Sequence, residues 1–194
     1  MNFAQKFKNI FFDHSHLFVV VKKESVWKAV IFYIIFAFIL FLINSYSLSI
    51  NMIPANLSVL KGAELTPSVI LDFPAHFFVI NVIVLFVFTG LITLISRGKN
   101  KTTLKNNIKV FSYAFVPFMI TAWITAFNAV FGLFSIYVLS KGIAETNGIH
   151  LRKAFYMVVV AGAITGILTF LATIVVMGNF GIPFDIEKIF LARN

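Results

Sequence analysis

The chain has 194 residues, of which 60% are apolar and only 12% charged, and its mean hydropathy is +0.96. This composition excludes an ordinary soluble domain and indicates a multi-pass protein of the cell membrane. The absence of cysteine excludes a disulfide scaffold and a thiolate metal site. In so apolar a chain, the net charge of +9 indicates contact with the lipid bilayer and its anionic headgroups at the inner face, and no nucleic acid.

Residues 1–25 are predicted to form a cytoplasmic amphipathic segment before the first span. A helix here would separate Lys6 and Lys8 from an apolar face that consists of Phe3, Phe7, Ile10 and Phe11. This pattern is typical of a helix that lies on the inner leaflet. The alternative is a frayed terminus with scattered phenylalanines.

Four apolar stretches are long enough to cross a bilayer, which takes about 20 residues of helix. They are residues 26–47, 77–96, 111–140 and 154–177. As one helix the third stretch would be about 45 Å long, whereas the hydrocarbon core is about 30 Å thick. Length alone does not show whether this stretch crosses once or twice.

The charged loops decide this question, because segments rich in Lys and Arg stay on the cytoplasmic side. The loop before the stretch, named here the inner basic loop, contains five basic residues and no acid. Its basic residues are Arg97, Lys99, Lys101, Lys105 and Lys109. The segment after it carries Lys141, Arg152 and Lys153 against Glu145. Both segments should lie inside, so the stretch between them must cross twice. An amide side chain and a glycine favour a turn at Asn128 to Gly132.

The sequence therefore predicts an all-α polytopic membrane bundle with five transmembrane helices, in a single membrane domain of residues 1–194. The N-terminus is expected inside and the C-terminus outside. The predicted helices are residues 26–47, 77–96, 110–127, 129–146 and 154–177, with an outer loop at 51–76 and an outer tail at 179–194.

The predicted outer loop contains two local signals. Thr66 and Pro67 are typical of a helix cap and first turn, and Pro74 is expected to end a short external helix before the second span. Asn56-Leu57-Ser58 is a glycosylation sequon on the outer face.

Gly162 and Gly166 form a Gly-x-x-x-Gly pair in the last span. Such a pair predicts close helix packing, either within the bundle or between two copies in a homo-oligomer.

Candidate residues for catalysis are scarce. The interiors of the predicted spans contain no Asp or Glu, which leaves proton relay and carboxylate catalysis without candidates. The Asp13-His14-Ser15-His16 stretch has metal-binding residue types, but no second ligand cluster accompanies it in the sequence. Phosphate loops, nucleophile elbows and zinc-helix motifs do not occur. We therefore expect no catalytic residue, no cofactor and no metal, and hence no enzyme.

A motif in the third predicted helix, Tyr113-Ala-Phe-Val-Pro117, is followed by a charge-free hairpin and then by SIYVLSKGIAETNGIHLRKAF. From about residue 105 to 177 this order resembles the Yip family of small membrane proteins, named for interaction with Ypt/Rab GTPases. The resemblance implies a five-span, non-enzymatic membrane protein. The long N-terminal region of the eukaryotic members is missing, so the chain is more similar to the compact prokaryotic and archaeal branch, and Rab binding does not carry over.

The main hypothesis is a scaffold that organises the membrane by binding partner proteins or anionic lipid. Its candidate interaction or structural residues are Tyr113, Pro117, Asn128, Lys141, Glu145, Arg152 and Lys153, together with the inner basic loop. The alternative is a small-molecule-binding subunit of a membrane transporter. In that case a pocket open to the outside is expected, lined by Asn81, Thr121, Asn128 or Tyr137.

Overall fold

The computed structural model describes residues 2–60, 64–96 and 102–182, apart from the side chains of residues 3, 55, 125, 126 and 128. The regular structure of these residues is entirely helical, which confirms the all-α prediction. The helices are α1 (Phe3–Phe12), α2 (His14–Lys23), α3 (Val26–Ser49), α4 (Pro67–Ile95), α5 (Leu104–Ala114), α6 (Val116–Thr121), α7 (Thr125–Asn147) and α8 (Leu151–Asn179), and a 3-10 helix at Ala55–Leu60 lies between α3 and α4. Arg97, Lys99, Lys101 and residues 183–194 lie outside the described residues.

Among the described residues, four helical segments are long and apolar enough to cross a membrane. They are Val26–Ser49, Pro67–Ile95, Ala129–Asn147 and Leu151–Asn179. Their outward surfaces expose large apolar side chains, for example Leu42, Ile83, Phe86 and Ile167. A surface of this kind is stable against lipid and costly against water.

Residues 111–140 double back in the structure, because α5 and α6 run antiparallel to α7. At one end of this hairpin, Nδ2 of Asn106 donates a hydrogen bond to the carbonyl oxygen of Thr146 at 3.3 Å. Near the other end, a Cβ added to Gly132 would lie 3.7 Å from the Phe118 ring. The two arms therefore lie side by side along most of their length.

The turn of this hairpin lies at residues 122–124, and α7 is already helical through 128–132. The predicted turn at Asn128 to Gly132 is therefore misplaced. Nε1 of Trp123 donates to the carbonyl oxygen of Ile120 at 2.8 Å, so the indole stabilises the turn without a glycine. The first arm is interrupted at Phe115, because Pro117 has no N–H to donate to the carbonyl of Tyr113.

Helix α4 continues through Pro74 without a break. The Thr66 cap is confirmed, since its Oγ1 accepts a hydrogen bond from the amide of Val69 at 3.4 Å. The separate external helix that Pro74 was predicted to end is wrong. Pro74 is buried two turns into α4, where its packing offsets the one helical hydrogen bond that a proline removes.

Helices α1 and α2 fold back onto the bundle. Ile10, Leu17 and Phe18 are buried, and the Phe7 ring stacks on the Phe36 ring of α3 with centroids 5.9 Å apart. The prediction of an amphipathic helix on the inner leaflet is therefore corrected in one respect. The apolar face of the helix packs on protein and not on lipid. Packing of these side chains on protein is more favourable than their insertion into lipid, because α3 and α7 supply a matching apolar groove.

A network of uncharged polar side chains joins α4, α5 and α7 at the same end of the bundle as α2. Its centre is the buried Asn107, whose Nδ2 donates to Oγ1 of Thr93 and Oγ1 of Thr102, each at 2.9 Å. Nδ2 of Asn147 donates to Oδ1 of Asn107 at 3.3 Å. Each buried polar atom of Asn107 thus has a partner, and α5 is held in one register against its neighbours.

Candidate functional site

Three segments that are distant in the chain meet at the Lys6–Glu24–Tyr113 cluster: α1, the junction of α2 with α3, and the end of α5. The Tyr113 hydroxyl donates to Oε2 of Glu24 at 2.6 Å and accepts from Nζ of Lys6 at 2.9 Å. The Lys6 ammonium also forms a salt bridge with Oε1 of Glu24. Both carboxylate oxygens and the phenol therefore have partners, and each bond carries charge.

The local sequence explains how Lys6 returns to Glu24. Asn2 begins α1 with a capping box that includes Gln5, and Asp13 ends α1 and caps α2. The chain therefore turns after ten residues and forms a helical hairpin. Glu24 follows α2 in an extended conformation and leads into α3, which places its carboxylate beside α1.

The cluster is largely shielded from solvent. The side chains of Lys6 and Glu24 are each 12% exposed, and Tyr113 is fully buried. The Tyr113 ring lies 4.6 Å from the Phe32 ring, and the Lys6 ammonium lies 5.2 Å from the centroid of the Tyr113 ring. Because a partly buried charge is costly when its partner is removed, the cluster strongly favours the docked position of α1.

The pKa of the Glu24 carboxyl lies below its ordinary value of 4.5. Burial by itself raises this pKa, but the hydrogen bonds from Lys6 and Tyr113 and the charges of Lys6 and Lys28 together outweigh burial. Glu24 is therefore an ionised acceptor at neutral pH. Its two oxygens are occupied, so it has no free position from which to act as a general base.

A second polar contact fixes the end of α2. Nζ of Lys109 donates to the carbonyl oxygen of Lys22 at 2.9 Å, and Lys109 is only 8% exposed. The sequence places Lys109 in the inner basic loop, where a solvated cation is expected. Instead it lies within α5 and its charge compensates a carbonyl at the C-terminal end of α2, where a positive charge is favourable.

Helix α2 packs against α7 at a glycine. A Cβ added to Gly142 would lie 2.6 Å from Cζ of Phe18 and 2.6 Å from Cγ1 of Val110, far inside van der Waals contact. Beside this contact, Oγ of Ser15 donates to Oε1 of Glu145 at 3.1 Å. The glycine at position 142 therefore permits a close approach of α2, α5 and α7, and a side chain there would force Phe18 or Val110 to shift.

The family model of the Yip1 domain matches residues 8–176, which is most of the chain. The chain belongs to the Yip1 domain family. Together with the four long apolar helices, this membership makes it a multi-pass integral membrane protein that contacts the lipid bilayer. No curated protein and no solved structure matches the chain. The Yip1 domain match includes Glu24 and Tyr113 and begins two residues after Lys6.

The stretch from Tyr113 to Pro117, on which the sequence resemblance rests, spans the break in the first arm of the hairpin. Tyr113 belongs to the cluster, whereas Pro117 is buried in the first turn of α6 and sets the position of the break. Asn128 lies within α7, and its side chain is outside the described residues.

The other predicted residues of this Yip1 domain lie at the same end of the bundle. Lys141 is half-buried and lies near His14. The pKa of His14 is below its ordinary value, first because the side chain is partly buried and then because of the Lys141 charge. A backbone hydrogen bond and nearby acids act in the opposite direction but are weaker. Glu145 binds α2 as described above. Arg152 and Lys153 are exposed in the first turn of α8, and Lys105 is exposed in the first turn of α5.

Within the described part of the chain no neighbouring helix packs closely on Gly162 and Gly166, and packing of this pair between two copies stays a prediction. The nearest atom to a Cβ added at Gly162 is on the Phe88 ring, 3.8 Å away, and no described atom lies within 4 Å of one added at Gly166. The pair borders open space because large phenyl rings, and not small residues, face it from α4 and α5.

Sequence reasoning missed Lys6 and Glu24 as site residues. Their sequence signal is weak: Glu24 is an acid among the lysines that precede the first span, and Lys6 is one of several lysines in a polar face. Within the described ranges, no three His, Asp or Glu side chains lie close enough to hold a metal. The arrangement can fasten the N-terminal helices to the bundle.

Proposed function

We propose that this Yip1-family protein is a non-enzymatic membrane scaffold whose inner face binds anionic lipid headgroups, and through them organises the membrane for partner proteins. The observation that carries the proposal is the docking of α1 and α2 by the Lys6–Glu24–Tyr113 cluster. With α1 and α2 docked, the exposed cations at this end of the bundle outnumber the exposed acids.

These cations belong to five different helices. The exposed basic residues at this end are Lys8, Lys22, Lys23, Lys28, Lys105, Arg152 and Lys153. Asp13 and Glu145 are exposed acids of the same region. An anionic leaflet attracts each nearby basic residue by about 1 kcal/mol, so a surface of this composition favours anionic lipid.

The proposal includes a topology with five crossings and the N-terminus inside. The antiparallel pairing of α5–α6 with α7 supports this topology, because α5–α6 must then reach as deep into the membrane as α7 does. The 18 residues from 104 to 121 would span about 27 Å if helical throughout, close to the hydrocarbon thickness. This assignment leaves the exposed cations on the cytoplasmic side, as the distribution of basic loops predicts.

The experiment is native mass spectrometry of the protein after purification from a membrane that contains both neutral and anionic phospholipids. We expect the wild-type protein to retain anionic lipid selectively. A triple variant with Lys22→Gln, Lys23→Gln and Lys105→Gln should retain much less, because it lacks three headgroup contacts of about 1 kcal/mol each.

The matched control changes the same three positions to Arg, which keeps the charges, and should retain lipid as the wild type does. Equal retention of anionic lipid by the Gln and Arg variants would refute a role for this surface.

A further inference from the structure

The hairpin of α1 and α2 is fastened to the bundle at two places. Its open end is held by the Lys6–Glu24–Tyr113 cluster. Its tip, where α1 turns into α2, lies on α7, and His14, the first residue of α2, forms this tip contact. The ten residues of α2, about 15 Å of helix, separate the tip contact from the cluster, so one can open while the other stays closed.

The His14 ring belongs to a small aromatic group that joins the tip to α7. Its centroid lies 5.5 Å from that of the Phe134 ring and 6.2 Å from that of the Tyr137 ring, which stands nearly at right angles to it. Phe11, at the end of α1, stacks on the same Phe134 ring with centroids 6.2 Å apart. The tip of the hairpin therefore packs on α7 through an imidazole that is surrounded by phenyl and phenol rings.

The two ring nitrogens of His14 have different surroundings. The ring is hydrogen-bonded to the backbone of Ile10. Nε2 is buried and has no hydrogen-bond partner among the described residues. The bond to the Ile10 carbonyl therefore comes from Nδ1, which assigns the proton of the neutral ring to Nδ1. A second proton would have to bind at Nε2, where no described group accepts a hydrogen bond from it.

The titratable groups around His14 lie on two elements of the hairpin and its support. They are Asp13 and His16 near the turn, and Tyr137, Lys141 and Glu145 on α7. Partial burial of the ring and then the Lys141 charge lower the pKa of His14 below its ordinary value of 6.5. The hydrogen bond to Ile10 and the two acids oppose this shift but do not cancel it. The docked tip therefore favours the neutral imidazole.

We infer that the tip contact is an acid-sensitive switch, which neutral His14 keeps closed on α7 and which opens when Nε2 takes up a proton. In the closed tip, the imidazolium ion would have an N–H without an acceptor and a like charge nearby on Lys141, and both are unfavourable. In the open tip, water hydrates the charged ring. The switch uses none of the exposed cations of the proposed lipid-binding surface, so it stands independently of the proposed function.

The tip contact should open over a higher pH range than the cluster. Because the folded-state pKa of His14 is lowered, its contribution is fully present above pH 6.5 and is lost as the pH falls through the folded pKa. The contribution of Glu24 is lost only below pH 4.5. At intermediate pH the tip is therefore released from α7 while the cluster still holds the other end of the hairpin.

The experiment measures two quantities against pH on the full chain in phosphatidylcholine nanodiscs. NMR of carbon-13-labelled histidine gives the pKa of His14, whose signal is identified by its absence from His14→Gln. Amide hydrogen exchange, corrected for its intrinsic pH dependence, gives the opening of the tip. We expect His14 to titrate below pH 6.5. Exchange of residues 9–18 should rise several-fold over the same range, while exchange of residues 20–24 changes little.

Three variants separate the switch from a structural role of the ring. His14→Gln cannot titrate, so exchange at the tip should stay constant from neutrality down to about pH 5, even if the substitution loosens the tip at every pH. The matched control is His16→Gln, at an exposed position where Gln still offers an acceptor to the Asn9 amide, and it should open as the wild type does. Lys141→Gln should raise the pKa of His14 and reduce the rise in exchange, because it removes a repelling charge.

A His14 pKa at or above 6.5 would overturn the switch, because protonation would then stabilise the closed tip. A rise in exchange at acid pH that persists unchanged in His14→Gln would also overturn it. Neither result alters the retention of anionic lipid by the exposed cations, so failure of the switch and failure of the proposed function are distinguishable.

Discussion

Glu24 and Tyr113 are 89 positions apart in the chain, and a hydrogen bond of 2.6 Å from the phenol to the carboxylate joins them. Because Lys6 contacts both side chains, this bond connects α1, the start of α3 and the end of α5. The N-terminal helices are therefore an integral layer of the Yip1-family bundle.

Replacement of Tyr113 by Phe removes the hydroxyl and leaves the ring in place. We expect the variant to lose about 1.5–3 kcal/mol of stability, the usual contribution of a hydrogen bond to a charged group. Amide hydrogen exchange should rise over residues 2–24 more than in α4 or α8. The matched control is Tyr46→Phe, at an exposed position of α3, which should exchange as the wild type does. Equal exchange in both variants would show that the phenol does not hold α1.

Docking of α1 and α2 should weaken at acid pH and should not change with pH near neutrality. The folded-state pKa of Glu24 lies below the ordinary value of 4.5, so its contribution is fully present above pH 4.5 and is lost as the pH falls through the folded pKa. Hydrogen exchange of residues 2–24, corrected for its intrinsic pH dependence, should report this loss. Glu24→Gln should abolish the transition; an identical acid transition in that variant would assign it to another group.

Gly142→Ala tests the contact of α2 with α7. The added methyl group overlaps the side chains of Phe18 and Val110, and we expect about 1–3 kcal/mol of destabilisation from overpacking. Gly178→Ala, where no described atom lies within 4 Å, should be neutral or slightly stabilising. Val110→Ala in the Gly142→Ala background should restore part of the lost stability. The melting temperatures of the four proteins measure these effects, and no difference between the two alanine variants would contradict the packing.

The five-crossing topology can be tested with single cysteines, because the chain has none of its own. Ser25→Cys should react with a membrane-impermeant maleimide only after the cells are opened. Ser58→Cys and Phe127→Cys, both at exposed positions on the opposite end, should react in intact cells. Protection of position 127 in intact cells would show that α5–α6 and the start of α7 do not reach the outer surface.

The helical class and the membrane location follow from composition and apolar runs, because span length and hydrophobicity are local properties of the chain. Tyr113 was found through a motif of the third span. Its partners were not found, since the approach of Lys6 across 107 positions is created by tertiary packing. The turn at 122–124 was missed because Trp123 stabilises it with a side-chain hydrogen bond in place of a glycine.

The glycine pair in α8 shows a second reason why packing within the bundle does not follow from the sequence. A Gly-x-x-x-Gly spacing indicates that a helix surface is flat, but whether a neighbour fills the space depends on the opposing residues. Here the opposing phenyl rings leave a cavity. Proline is likewise common where a helix ends, but Pro74 is buried within α4, and the neighbouring sequence does not reveal that burial.

The most direct test of the docked N-terminal layer is an exchange of charges between Lys6 and Glu24, followed by hydrogen exchange of residues 2–24. Lys6→Glu and Glu24→Lys should each expose this segment to rapid exchange, because each places two like charges in a shielded site. The double variant should recover much of the protection. Wild-type protection in both single variants would contradict the account, and so would a double variant as exposed as either single one.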